Sequence, residues 1–227
     1  VGRSSARRAL ARLGASKVPS GVMTMVLDHR TGGRLVSALL SPLSASSIQQ
    51  RRSFLEGRAG QAVGNSLLNI TDEPLISKGF GSRHFDGEGI SAHPLPLFES
   101  GILRNYYVDT YYGKKLDLKP TTGSTSNLDW GLGPKSEAEL ITDAGEGVFV
   151  TGFLGGNSNG TTGDYSLGIQ GFMIRKGEIA EPVAEMNISG NQLDLWKRLL
   201  AVGNDPFEYS PLRTPTLVFE DVSFAGV

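Results

Sequence analysis

The sequence predicts an α+β fold: a large, mostly antiparallel, barrel-like sheet with a few packed helices. Three observations carry this. Glycine occurs 30 times, mostly from Gly57 onward, at a density that marks tight turns between short strands. Strand-type runs recur at 22–27, 147–153 and 168–183, each bounded by turn residues. Helical spacing is confined to a few short segments near the start, at 32–42, at 136–142 and at 191–201.

In chain order, Ser4 or Ser5 can cap a first helix with Ala6, Ala9, Leu10 and Leu13 on one side and Gly14 as its stop. Its arginines (Arg3, Arg7, Arg8, Arg12) read as a solvated face. Val22–Leu27 is a strand. Leu35, Val36, Leu39, Leu40 and Leu43 then repeat at helical spacing, a buried helix cut short by Pro42; strand followed at once by helix is an α/β opening. Ile70–Asp72 reads as a short strand. Segments 91–98 and 102–109 flank Glu99-Ser100-Gly101 as a hairpin, whose first arm, holding Pro94 and Pro96, should be an edge strand or irregular. Ser136 to Thr142 has a capping box, with Ser136 as cap and Glu139 at N3. Gly147–Phe153 is a strand, followed by a polar glycine-rich loop. A second hairpin, 168–175 with 178–183, turns at Lys176-Gly177. Asn191–Ala201 is the strongest helix, burying Leu193, Leu195, Trp196, Leu199 and Leu200 before Gly203. A strand at 216–219 follows.

The totals exclude several classes. At 227 residues the chain can bury a core without staples, and with no cysteine it has no disulfide, thiolate ligand or thiol nucleophile. Twenty-two basic against 23 acidic side chains give no electrostatic pull toward nucleic acid. No apolar run approaches the roughly 20 residues that span a bilayer, and the basic opening lacks the apolar stretch of a signal peptide. The expectation is a soluble, cytoplasmic protein with no membrane contact and no direct nucleic-acid binding. The start at Val1, inside a helical pattern, reads as a fragment whose upstream part is missing.

The stretch Ser82–Asn127 invites an active-site reading. Asp86 and Glu88 would leave one face of an extended chain and could divide acid and base roles if their environments differed. Gly87 and Gly89 interleave them, which favours a turn. The histidines His29, His84 and His93 have no metal-motif spacing, so a metal site from this chain alone is not expected. The loops at 121–126 and 155–163 lack the Gly-Lys-Ser/Thr ending of a phosphate loop, and no Gly-x-Ser-x-Gly elbow occurs.

The landmarks Ser82-Arg83, Phe85-Asp86-Gly87-Glu88-Gly89, Glu99-Ser100-Gly101-Ile102-Leu103, Tyr106 to Tyr112 and Thr122-Gly123 resemble the core of the TldD/PmbA (TldE) family. So do Thr162-Gly163-Asp164-Tyr165-Ser166, Gly171-Phe172, Gly177-Glu178-Ile179, Pro182-Val183, Gly190-Asn191, Gly203-Asn204-Asp205 and Ala225-Gly226. The resemblance runs from about Ala6 to the end. It implies an α/β domain upstream, with 1–20 as its end or a linker helix and 21–227 as the C-terminal domain.

In the TldD branch the resemblance implies a zinc metalloprotease, with a His-Glu-x-x-x-His helix and a cysteine near the C-terminus. The corresponding segment here, Gly33 to Pro42, has Ser37 and Pro42 where the ligands belong and Ala38 where the base belongs. Zinc hydrolysis needs ligands for the ion and a base for its water. The resemblance therefore implies the PmbA/TldE branch: a subunit without catalytic residues or a cofactor of its own. Zinc is then expected only in a TldD-like partner, bound as a heterodimer, with self-association as the alternative. The substrate would be small or unfolded peptides, and Arg83, Phe85, Asp86, Glu88, Tyr111, Thr122 and Gly123 would contact substrate or partner. Two other readings remain: a stand-alone hydrolase using Asp86 and Glu88, and a non-enzymatic binding protein that modulates DNA gyrase. The tyrosine-rich segment, read as a strand, is an expected interface.

Overall fold

The computed structural model describes residues 2–227; Val1 lies outside the described residues. The helices are α1 (Gly2–Leu10), α2 (Gly33–Leu40) with a 3₁₀ turn at Ser41–Leu43, α3 (Ala45–Gln49), α4 (Thr110–Leu116), α5 (Glu137–Ala144) and α6 (Gln192–Lys197). The strands are β1 (Gly21–Leu27), β2 (Ile70–Asp72), β3 (Leu95–Glu99), β4 (Ile102–Leu103), β5 (Leu128–Trp130) and β6 (Gly147–Phe153). They continue with β7 (Asn157–Ser158), β8 (Asp164–Arg175), β9 (Glu178–Asn191), β10 (Leu199–Val202) and β11 (Leu217–Ala225).

The larger sheet runs β1-β6-β8-β9-β11 and closes, because β1 also pairs with β11. Only β1–β6 is parallel in that ring; the other four pairings are antiparallel. Closure removes sheet edges, leaving β7 as an extra strand on β8 and β10 on β11. This is the α+β, barrel-like architecture that the strand runs predict. A second, all-antiparallel sheet has the order β4-β3-β2-β5.

Alternation along the barrel strands sorts side chains into two cores. Met25, Leu27, Val148, Val150, Leu217 and Phe219 join the large interior, which also takes Trp196 edge-on against Phe219. The intervening Val26, Phe149 and Val218 point outward, where Leu140 and Ile141 of α5 cover them. The predicted capping box is present: Ser136 Oγ accepts from Glu139 N, and Glu139 Oε2 accepts from Ser136 N at 2.8 Å. Ser136→Ala should lower stability by about 1 kcal/mol, read as a midpoint shift of about 2–4 °C in thermal unfolding.

Several expectations are corrected. The helix predicted over 191–201 ends at Lys197; Leu199–Val202 pairs with β11 instead, so Leu199 is buried while Leu200 stands exposed. An open partner strand outcompetes the local helical pattern. The predicted 178–183 arm runs on to Asn191 and the last strand to Ala225. In the first hairpin Ser100 and Gly101 take positive φ at the turn, but β4 is only two residues long. Strand β3 is an inner strand, not an edge; Pro96 is tolerated because β4 has ended before reaching it, and Asn105 Nδ2 bonds its carbonyl at 2.7 Å. The expected tyrosine-rich strand does not form: Asp109 Oδ1 accepts from Tyr112 N at 2.7 Å and caps α4, so Tyr111 and Tyr112 lie on a helix.

Candidate functional site

Helix α2 follows β1 after a short turn, in which Thr31 N and Gly32 N both bond Asp28 O. Its apolar side (Leu35, Val36, Leu39, Leu40) is buried in the main core. Ser37 lies on the exposed side, Ala38 is half-buried and Pro42 is buried in the 3₁₀ turn. Arg34 reaches from α2 to the β6–β8 connection, donating to Gly156 O at 3.1 Å and lying over the Phe153 ring. The same connection returns over Pro42, with Phe54 N bonded to Gly160 O at 2.9 Å. Both residues of β7 are exposed, and among the described residues β7 pairs only with β8. The strip along α2 thus offers hydroxyls, a guanidinium and backbone groups. From Gly33 to Leu43 there is no His, Cys, Asp or Glu, so nothing on this strip can ligate zinc or activate water.

The residues singled out within 82–127 come together in part. Arg83 spans two loops, donating through Nη1 to Ser124 Oγ and Thr125 O (3.1 and 3.3 Å) and through Nη2 to Thr122 Oγ1 (3.1 Å) and Ser124 O. Asp86 is buried, its Oδ1 accepting from Glu88 N and Ile90 N at 2.9 and 3.0 Å. Glu88 turns away and accepts from Thr110 N (2.9 Å) and Thr110 Oγ1 at the start of α4. The two carboxylates therefore serve different backbone donors and share no cavity. Arg83, Asp86 and Thr122 line a closed crevice with no room for a ligand. Phe85 and Tyr111 are exposed, Tyr111 packing edge-on against Tyr112 with Lys115 over its ring. Gly123 is exposed, beside Asp109.

A second cluster has no signature in local spacing. Asp28 and His29 directly follow β1, Glu137 opens α5 and Asp205 lies between β10 and β11. His29 Nδ1 is 2.8 Å from Asp205 Oδ2 and 3.7 Å from Glu137 Oε2, and its ring stacks on Phe207. Thr216 N and Oγ1 hold Asp205 at 3.0 and 2.7 Å. Arg8 Nη2 reaches Asp28 Oδ2 at 3.0 Å. The Asp205 hydrogen bond raises the His29 pKa against the opposing effect of burial, aided by the charges of Asp28, Asp205 and Glu137. Burial, then the charge of Asp28, raises Glu137. Burial pushes Asp205 up, but hydrogen bonds from His29 and Thr216 outweigh it and leave that carboxyl lowered. Asp28, His29 and Glu137 line a pocket of about 380 Å³ walled by α1 and β6, into which Arg7, Arg8, Arg12 and Arg30 also project. A larger groove of about 540 Å³ between α5 and β10 is mostly apolar, and its Lys135 and Asp143 pair with each other.

Comparison with known proteins places this geometry in context. Residues 20–226 match the model of the PmbA/TldA metallopeptidase C-terminal domain. The chain is 30% identical over 229 residues to a metalloprotease PmbA homolog of Haemophilus influenzae, and 29% identical over 228 residues to metalloprotease PmbA of Escherichia coli. Each alignment takes in 100% of this chain and 51% of the relative, so the chain spans about half the length of the curated relatives it matches. A Bacteroides thetaiotaomicron protein crystallised under the name of a DNA gyrase modulator superposes with TM-score 0.98 at 43% identity, over 100% of this chain and 52% of that one. TldE of Thermococcus kodakarensis superposes with TM-score 0.90 at 19% identity, over 99% of this chain and 55% of that one, a likeness of fold alone.

Proposed function

Since the chain belongs to the PmbA/TldD metallopeptidase family, we propose that it is the subunit without a zinc motif in a two-subunit peptidase of the cytoplasm. The single observation that supports this is the segment from Gly33 to Leu43, which carries no His, Cys, Asp or Glu; the resemblance sets Ser37 and Pro42 at the ligand positions and Ala38 at that of the base. On this reading the zinc and the water-activating base belong to a TldD-like partner. This chain supplies cleft surface and dimer contacts.

The exposed strip of α2 and the outer edge of β7 lie on either side of the Arg34–Gly156 contact. A strand edge with exposed backbone groups can take an extended peptide by strand addition, which suits short or unfolded substrates better than folded ones. The Arg34 guanidinium would orient a passing carbonyl or carboxylate.

The test is reconstitution. The full-length protein should co-purify with a partner carrying His-Glu-x-x-x-His, and cleavage of an unstructured peptide should appear only in the mixture. Activity of the isolated protein that vanishes in Asp86→Asn or Glu88→Gln would overturn the proposal in favour of a stand-alone hydrolase. So would failure of the two proteins to associate at micromolar concentration.

A further inference from the structure

We propose that Asp28, His29 and Glu137, with Asp205 at the rim, bind one divalent transition-metal ion. The proposal goes beyond the reading of α2 and does not depend on it. Ligand atoms of Asp28, His29 and Glu137 all lie within 4.8 Å of one another. Donors held about 2.0–2.2 Å from one ion are at most about 4.4 Å apart, so the side chains need move only a little to converge. Asp28 and His29 lie in the turn directly after β1, and Glu137 in the first turn of a helix that packs on the barrel.

Arg7, Arg8, Arg12 and Arg30 line the same pocket, so the charge that favours a cation is local to His29. There three carboxylates face one imidazole, and among the described residues Glu137 has no ionic partner but His29. Arg8 balances Asp28 through Oδ2, and Asp28 Oδ1 accepts from Arg30 N at 2.8 Å. A separate observation points to a ligand in the same pocket. Thr151 is 8% exposed, its Oγ1 is buried without a hydrogen-bond partner among the described residues, and it lines the pocket with Asp28, His29 and Glu137.

His29 Nδ1 is the nitrogen that faces the carboxylates. Binding through it sends the Nδ1 proton to solvent and turns Asp205 Oδ2, already 2.8 Å away, into a co-ligand. A proton taken up from solvent at His29 Nε2 keeps the ring neutral, and the exposed Arg30, whose Nε donates to Nε2 at 3.3 Å, must then swing aside. One imidazole with two or three carboxylates suits ions that accept both nitrogen and oxygen donors, such as Mn²⁺ and Zn²⁺.

The chain has three histidines, so the imidazole NMR signals of His29, His84 and His93 report the site directly. Titrating Mn²⁺ into the protein should broaden His29 at sub-stoichiometric ion while the other two persist. Glu137→Gln should raise the concentration needed at least tenfold, and Arg8→Ala, which removes the competing guanidinium, should lower it. If the variants do not fold, the wild-type titration still decides. Broadening of all three signals together, or a His29 signal unchanged at millimolar Mn²⁺, would overturn the proposal.

Discussion

Gly171→Val should lower the stability of the barrel by about 3 kcal/mol or more, at the upper end of what overpacking costs. A Cβ at Gly171 would stand 2.0 Å from the carbonyl oxygen of Phe149, 2.9 Å from its carbon and 3.1 Å from Val150 Cα. All three are backbone atoms of the facing strand, so no rotamer change can relieve the contact. Gly171 sits where the β6–β8 and β8–β9 registers both shift, and such bulges bend a closed sheet. For a chain of this size the loss reads as a fall of roughly 6–12 °C in the unfolding midpoint. Gly87→Ala is the control: nothing lies within 4 Å of its Cβ, and its φ is not positive, so its midpoint should stay within about 2 °C of wild type. Equal shifts for the two variants would refute this account of the barrel bend.

The bend marks a limit of reading structure from sequence. The strands β1, β6 and β11 are visible in the sequence as continuous apolar runs, because each buries one face in the barrel and the other under α5. Glycine density signals turns, but it does not distinguish Gly101, which makes one, from Gly171, which lets two strands approach. Segment 199–201 reads as the end of a helix because Leu199 and Leu200 continue the spacing of Leu195 and Trp196. Only the open side of β11 makes it a strand, and that partner is about twenty residues away.

The candidate sites divide along the same line. Ser37, Ala38 and Pro42, which the resemblance sets at the zinc-motif positions, lie within six residues of sequence, so a family pattern can find them, and the structure adds that Ser37 lies on the exposed side of α2. Arg83 and Thr122 are brought together by a loop-to-loop contact, whereas Asp86 and Glu88, neighbours in sequence, are separated by the turn between them. The His29 cluster was missed. Its members are spread from residue 28 to residue 205, and a single histidine beside one aspartate gives no spacing to detect. Closure of the barrel brings together carboxylates and an imidazole that no motif links.

Asp72→Ala should cost about 3–5 kcal/mol, because it orphans several buried polar groups at roughly 1–3 kcal/mol each. Asp72 is 2% exposed. It accepts from Tyr107 Oη at 2.6 Å, from Ser126 N at 2.9 and 3.1 Å, and from Ser126 Oγ. The damage should reach beyond β2, since Ser126 anchors the loop whose Thr122 and Ser124 hold Arg83. Amide exchange at 121–127 should therefore speed up more than exchange in the barrel. Tyr107→Phe removes one of these bonds and leaves Ser126 in place, so at neutral pH it should cost about 1–2 kcal/mol. Alkali reverses part of that difference. Burial, then the charge and hydrogen bond of Asp72, hold the Tyr107 hydroxyl protonated well above the ordinary tyrosine range. The folded chain binds that proton more tightly than the unfolded chain. The stability it brings is therefore complete below about pH 10, the unfolded tyrosine value, and is lost as pH rises above it. Tyr165, which burial pushes up to about 12, adds to the same loss. Unfolding midpoints measured at pH 8, 10 and 11 should fall more steeply for wild type than for Tyr107→Phe. Parallel pH profiles would show that Tyr107 is not the buried acid that the Asp72 network makes it.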